Sequence, residues 1–419
     1  MKLRLIFERT LFVIFILIIL SIGGSILKNG WTKTWNMLFI PTRSPIFADM
    51  RTVQGSLQSE ELGFDPQVKN PGDPWYRSMN YPKIWIWIAK LIQLNNETNY
   101  VIFICAYILL YLICCFIILR ISPSLYVLLV VFSGASLLAV ERGNNDLLAF
   151  VILFMGIYFS QNYFRAISIL LATILKIYPF LLVLIFVKKT KMFIALVLMI
   201  AVYFVFTAGE LKTIMAGNTA LTDPASPIAT YGLATTFTNI TQLLHAIIRL
   251  PESTYIILIY IYVFILFSMS LFSIILINRK KIIVNNRSIV ITDLFVAGAI
   301  IFSGTFILTS NWDYRLIFLL FCIPYLLNLE NRILKHSILL SILISSNSML
   351  FTSSKGFELI GQSGISMCIM CKYYTFIMIT ALLIKESKQY LPIYSLDVLK
   401  TNMERLKSGI FRKGSKVQR

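Results

Sequence analysis

Four short stretches carry ionisable side chains against apolar runs, where a charge is costly and tends to mark function. They are "FADMR" (Asp49, Arg51), "ERGNND" (Glu141, Arg142, Asn144, Asn145, Asp146), "LKIYP" (Lys176, Tyr178) and "SNWDYR" (Asn311, Asp313, Arg315). Guanidinium and ammonium groups bind phosphate through charge-assisted hydrogen bonds and stabilise charge that develops on a departing phosphate. Asp49 can take a proton from an attacking hydroxyl, provided the neighbouring cations leave it basic enough. A substrate bearing a phosphate on a long isoprenoid tail suits such a site, open to the outer face and to lipid. On this reading Asp49 is the general base, and Arg51, Lys176 and Arg315 hold the donor phosphate. Arg142, Asn144, Asn145, Asp146, Tyr178 and Asp313, with Tyr81 from "PWYRSMNYPKIWIW", shape the sugar or acceptor site. The other aromatics of that run anchor the loop in the headgroup region, and Arg43 is an interfacial anchor.

Taken singly, most of these motifs have a plainer explanation. Glu141 and Arg142 read as a helix-end turn, with Asp146 favourable at the start of the next helix because of its dipole. "SNWDYR" reads as an interfacial aromatic anchor with an ion pair. Lys176 resists such a reading, because it lies mid-run between apolar stretches and cannot easily snorkel to the inner side.

The elements that must bring the four stretches together are membrane helices. Of the 419 residues 58% are hydrophobic and 14% charged, and the mean hydropathy is +0.78, more apolar surface than a soluble core hides. Repeated long apolar runs imply an all-α polytopic bundle rather than an outer-membrane barrel, which would show alternating short strands. The net charge of +19 comes from Lys and Arg at the edges of apolar runs and after Ile384, so it speaks for membrane topology and not for nucleic acid.

Spans are expected near residues 10–27, 99–119, 125–140, 146–160, 191–208, 254–277, 290–308, 314–329, 337–352 and 370–384. The segment "RAISILLATILKIYPFLLVLIFVKKTK" is read as two short helices meeting at "KIYP", because a single crossing would invert every later basic cluster and because Pro179 breaks a helix. That makes about 12 transmembrane or half-spanning helices, both termini cytoplasmic, in a cell membrane. Residues 1–384 form the membrane domain, with outer loops at about 28–98 and 209–253, and 385–419 a basic cytoplasmic tail. "KIWIWIAKLIQL" is too short to span and, with Trp85 and Trp87, is placed along the outer interface. Neither "CIMC" nor the two distant histidines, His245 and His336, has the context of a redox or metal site, so no metal and no cofactor is expected.

The runs "SPIFADMRTVQGSLQSEELGFDP", "NPGDPWYRSMNYPKIW", "ERGNNDLLAFVILF", "ATILKIYPFLLVLIF" and "NWDYRLIFLLFCIPYLL" resemble, in that order from about residue 44 to 330, the bacterial branch of glycosyltransferase family 87. These are the polyprenol-phosphate-mannose-dependent mannosyltransferase-like proteins of the GT-C superfamily. The resemblance implies a GT-C type bundle with a long first outer loop. It also implies inverting transfer of a hexose, mannose or glucose, from a polyprenyl-phosphate carrier to a glycolipid or polysaccharide acceptor outside the cytoplasm. In that superfamily an Asp of the first outer loop is the catalytic base, and the matching position is Asp49; the lysine of the "A..LK..P" pattern matches Lys176, and "DYR" matches Asp313 and Arg315. Two positions depart from the pattern: Gln67 stands where an aromatic is expected and Gly72 where a cysteine often appears.

The rival from another class is a transporter or flippase of lipid-linked saccharides, which predicts ionisable groups spread through the bilayer depth and an internal repeat; no repeat is evident. An O-antigen ligase or polymerase would carry its long outer loop late in the chain rather than after the first helix.

Overall fold

The computed structural model describes residues 2–159, 161–216, 229–236, 288–308, 310–351 and 358–390, with scattered positions between 264 and 285. It is mostly helical. Five of the described helices are long and apolar enough to cross a membrane, or six when the bent pair Thr190–Phe206 and Ala208–Ile214 counts as one span. Lys2–Asn29, about 42 Å long at 1.5 Å per residue, and Glu97–Ile121 are the longest uninterrupted apolar ones. The first helix leaves Leu5, Phe7, Val13, Leu17 and Leu20 exposed, as does Thr190–Phe206 with Val197, Val202 and Phe206. Such faces need hydrocarbon around them, so the chain is a membrane-embedded helical protein. The expected span at 254–277 falls largely outside the described residues.

Local chemistry explains where helices start and stop. Asn96 accepts from Thr98 N–H and Asn99 N–H, Glu97 stands at the positive end of the helix dipole, and Arg120 at the negative end, so Glu97–Ile121 is capped at both ends. The expected break at "KIYP" is present: Asn162–Leu175 ends at an extended Lys176, and a 3-10 helix, Tyr178–Phe186, begins with Pro179 in its first turn. The run 125–140 is divided at Phe132 and Ser133 into Leu125–Val131 and Gly134–Arg142.

Two expectations are corrected. Residues 314–329 form a 3-10 helix, Asp313–Phe321, followed by the short helix Ile323–Leu327. Almost every side chain of this stretch is buried, so it is an internal rod and has no lipid face. Trp85 is not an interfacial anchor: in the helix Ile84–Leu91 it is fully buried and its indole N–H donates to Leu175 O at 3.0 Å, while Trp87 on the opposite face is exposed. The boundary drawn at 384 falls within the helix Glu358–Tyr390.

The segment between the first two long helices is folded. Helix Ala48–Glu61 lies so close to the turn at 70–73 that a Cβ on Gly72 would stand 2.2 Å from Gly55 O. A side chain has no room at position 72. Gln67 is buried and donates to Tyr81 O at 3.0 Å, tying the loop to itself. A two-residue ribbon, Thr230–Tyr231 against Asn311–Trp312, is antiparallel with Thr230 opposite Trp312.

Candidate active site

The site is assembled around two chain reversals that touch. Gly143 ends Gly134–Arg142 in the left-handed region at φ 55°, and a Cβ there would meet Phe47 Cβ at 2.9 Å. Phe47, itself left-handed at φ 59°, is the N-cap of Ala48–Glu61. Glycine therefore allows the "GNND" turn to lie directly against the start of the Asp49 helix. The helix Glu97–Ile121 braces both turns from behind: Tyr100 Oη donates to Phe47 O at 2.7 Å and Tyr107 Oη to Gly143 O.

This juxtaposition places Asn144 between two carboxylates. Its Nδ2 donates to Asp49 Oδ2 at 2.6 Å, and its Oδ1 accepts from Asp146 N–H at 2.8 Å. Asp146, fully buried, gathers Lys176 Nζ at 3.2 Å and Tyr178 Oη at 3.0 Å on Oδ1, and Arg315 Nε at 3.2 Å on Oδ2. Arg315 also donates to Asn311 Oδ1. The Lys176 ammonium lies 4.6 Å from the Tyr81 ring centroid and the Arg315 guanidinium 4.9 Å from that of Tyr178. Two cations against one buried carboxylate leave an excess of one positive charge, and Asp49 stands one amide away from it.

All four charged stretches thus converge. The cavity beside them, of about 790 Å³, is lined by Asp49, Thr52, Arg43, Arg77, Arg142 and Tyr81, by Trp75 and Tyr76, and by Ala229, Trp312, Tyr314 and Met349 from later segments. Lys176 and Arg315 do not line it; they stand behind Tyr81 and Asp146. Arg142 donates to Pro41 O at 3.2 Å and pairs with the buried Glu141, holding the 41–43 strand on the rim. The Asn145 amide is buried and neither of its polar atoms has a partner among the described residues.

Two of the expected site residues are placed elsewhere. Arg51 is buried with all three nitrogens committed: Nη1 and Nη2 donate to Glu97 at 2.7 Å each, Nη1 also to Gln54 Oε1, and Nε to Ile46 O at 3.1 Å. Its guanidinium lies 4.2 Å from the Tyr100 centroid, and burial, which disfavours the charge, is outweighed by Glu97 so that its pKa is raised. Arg51 is a strut between the first loop and Glu97–Ile121, with four of its five N–H donors held by protein acceptors, and it does not line the cavity. Asp313 is likewise buried, accepting from Lys372 Nζ at 2.7 Å and Ser348 Oγ at 2.5 Å, and does not line the cavity.

The residue that stands where Arg51 was expected is Arg77. Burial opposes its charge, but Asp73 and the more distant Asp49 outweigh that and raise its pKa. Nε and Nη2 are held by Asp73, Nη2 also donates to Ala48 O at 2.5 Å, and Nη1 lies 3.9 Å from Asp49 Oδ1. Asp73 additionally accepts from Trp75 N–H and Arg77 N–H, so one buried carboxylate folds the turn that presents Trp75, Tyr76 and Arg77 to the cavity. The spacing of Asp73 and Arg77, four residues apart in "GDPWYR", was the signal available in the sequence. Burial first, then the negative charge of Asp49, pushes the Tyr81 phenol well above its ordinary pKa, so it is a hydrogen-bond donor. Among the described residues no group of three or more His, Cys, Asp or Glu is placed to hold a metal ion. No family model matches this chain, and neither a curated protein nor a solved structure matches it.

Proposed function

We propose that the protein is a membrane hexosyltransferase that moves a sugar, mannose or glucose, from a polyprenyl-phosphate carrier to a hydroxyl of a lipid or glycan acceptor on the outer face, with inversion. The observation that carries this reading is Asp49 on the wall of a large polar and aromatic cavity, one oxygen fixed by Asn144 and the other turned toward Arg77. A carboxylate held by one oxygen keeps the second as an oriented base. Asp49 Oδ1 accepts the acceptor hydroxyl proton as that oxygen forms its bond to the anomeric carbon. The bond from that carbon to the phosphate oxygen breaks on the opposite face, and the electron pair leaves with the polyprenyl phosphate. Arg77 and Arg43 on the wall, with the excess charge of Lys176 and Arg315 behind it, offset the charge of the leaving phosphate. Trp75, Tyr76, Trp312 and Tyr314 offer flat faces for sugar rings.

The test supplies membranes containing the protein with a labelled polyprenyl-phosphate hexose. Asp49→Asn is expected to lose about 10²–10⁴-fold in transfer rate, the usual contribution of a positioned general base. Transfer at a rate close to the unmodified protein removes Asp49 as the base. Movement of the carrier across vesicles without any transfer would establish transport in place of catalysis.

A further inference from the structure

Lys372 belongs to none of the four charged stretches. It lies within Glu358–Tyr390, 59 residues after Asp313, and its side chain is 4% exposed. An ammonium at such a position is costly unless it is fully paired. Its Nζ donates to Asp313 Oδ2 at 2.7 Å and to Thr230 O at 2.9 Å, and the same Asp313 oxygen accepts from Ser348 Oγ.

Each of these partners is the chain neighbour of a residue on one wall of the cavity. Thr230 follows Ala229, Asp313 lies between Trp312 and Tyr314, and Ser348 precedes Met349. Three segments distant in sequence, each next to lining residues of the cavity, therefore meet at one charge. The ribbon that pairs Thr230 with Trp312 is only two residues long on each side, too short to hold the segments by its own ladder. A second tie fixes the height of the helix: Tyr325 Oη, at the far end of the 313–327 rod, donates to Glu386 Oε1 at 2.6 Å. The fourteen residues from Lys372 to Glu386 rise about 21 Å as α-helix, close to the rise of the rod from Asp313 to Tyr325.

We propose that Lys372 is a positioning residue whose ammonium clamps the Ala229, Trp312–Tyr314 and Met349 wall of the cavity into one shape. Without it Asp313 is a buried carboxylate whose Oδ1 already has no hydrogen-bond partner among the described residues, and it must either take up a proton or turn toward water. In both cases the wall segments lose their common anchor. The consequence for catalysis rests on the function proposed above; the clamp itself does not.

The test measures spin-label distances between Ala229→Cys and Met349→Cys in a chain whose six native cysteines are replaced by alanine. A control pair is placed at the exposed positions Tyr163→Cys and Ile333→Cys. The wall pair is expected to give a narrow distribution that widens at least twofold in Lys372→Met and returns toward the original width in Lys372→Arg, which keeps the charge. The control pair stays narrow throughout. Where Lys372→Met does not fold, the double variant Lys372→Met, Asp313→Asn removes the stranded carboxylate charge and is expected to show the same widening. An unchanged wall distance in the variant that folds, or equal widening of the control pair, overturns the clamp. Sugar transfer measured on the same proteins is expected to fall at least tenfold in Lys372→Met, in turnover, with partial recovery in Lys372→Arg. If the unmodified protein transfers no sugar, the proposed function fails and the distances still decide the clamp.

Discussion

At the scale of single residues, burial separates the arginines by role. Arg51 and Arg77 are both near Asp49 in the folded loop, yet Arg51 is held by Glu97, Gln54 and Ile46 away from the cavity and Arg77 keeps Nη1 toward Asp49 on its wall. Arg51→Met is expected to cost about 1–2 kcal/mol, seen as a lower thermal midpoint in detergent, because the ion pair, the Gln54 bond and the Tyr100 stack go together; exposure of Glu97 keeps the figure at that size. Arg77→Gln is expected to lower transfer about 10²-fold with a smaller change in midpoint, the effect of losing one preorganised donor. Composition could not tell these two apart, because both lie in the same polar loop. The difference depends on Asp73 and Glu97, whose positions follow from the fold. Lys176 was legible as a costly charge between two apolar runs, but not its partner: it pairs with Asp146 and does not line the cavity, where a phosphate ligand was expected.

A smaller pair gives a pH signature. Burial opposes the charge on Asp65, but the Lys83 ammonium at 2.8 Å and the Gln67 N–H outweigh it and hold the carboxyl below its ordinary pKa. A depressed folded-state pKa stabilises the fold above the unfolded value, and the contribution disappears as pH falls through the folded one. The midpoint difference between the unmodified protein and Asp65→Asn is therefore expected to be present at pH 7 and to close below about pH 4, where the unfolded carboxyl also protonates.

Among the elements, the tight turns decide the geometry. Gly143→Ala has to place a methyl at φ 55° against Phe47 and Ile104, and is expected to cost about 1–3 kcal/mol while shifting Asn144 away from Asp49. Loss of transfer beyond what the midpoint accounts for would be the mark of that shift. The break at "KIYP" could be read from the chain because proline removes a backbone donor, and the Asn96 cap leaves an equally local trace. The 313–327 rod could not. An apolar run carries no mark that tells a lipid-facing span from a stretch buried on all sides, and only neighbours that close around it make the distinction. The same holds for Gly55 and Gly72, whose contact spans a helix and a loop.

For the whole molecule, the expected orientation can be checked without any substrate. Tyr76, exposed at the rim of the cavity, and Lys188, exposed beyond the Tyr178–Phe186 segment, fall on opposite sides in the topology drawn from basic clusters. With the native cysteines removed, Tyr76→Cys is expected to react with a membrane-impermeant maleimide on intact cells, and Lys188→Cys only after permeabilisation. Reaction of both from outside would redraw the topology and move the cavity's face with it.

The convergence of distant segments has a consequence for how the protein is made. Asn144 emerges 95 residues after the Asp49 it must hold. Lys372 emerges later still, 59 residues after Asp313. At translation rates of roughly 5–20 residues per second, the first loop waits on the order of tens of seconds for its last partners. Until Asn144 emerges the Asp49 carboxylate has only its approach to Arg77 within the first loop, and the Thr230, Asp313 and Ser348 segments lack their common partner until Lys372 follows. On the proposed clamp, a chain that stops before Lys372 lacks the partner that joins the Thr230 and Asp313 segments, and with it the finished wall of the cavity.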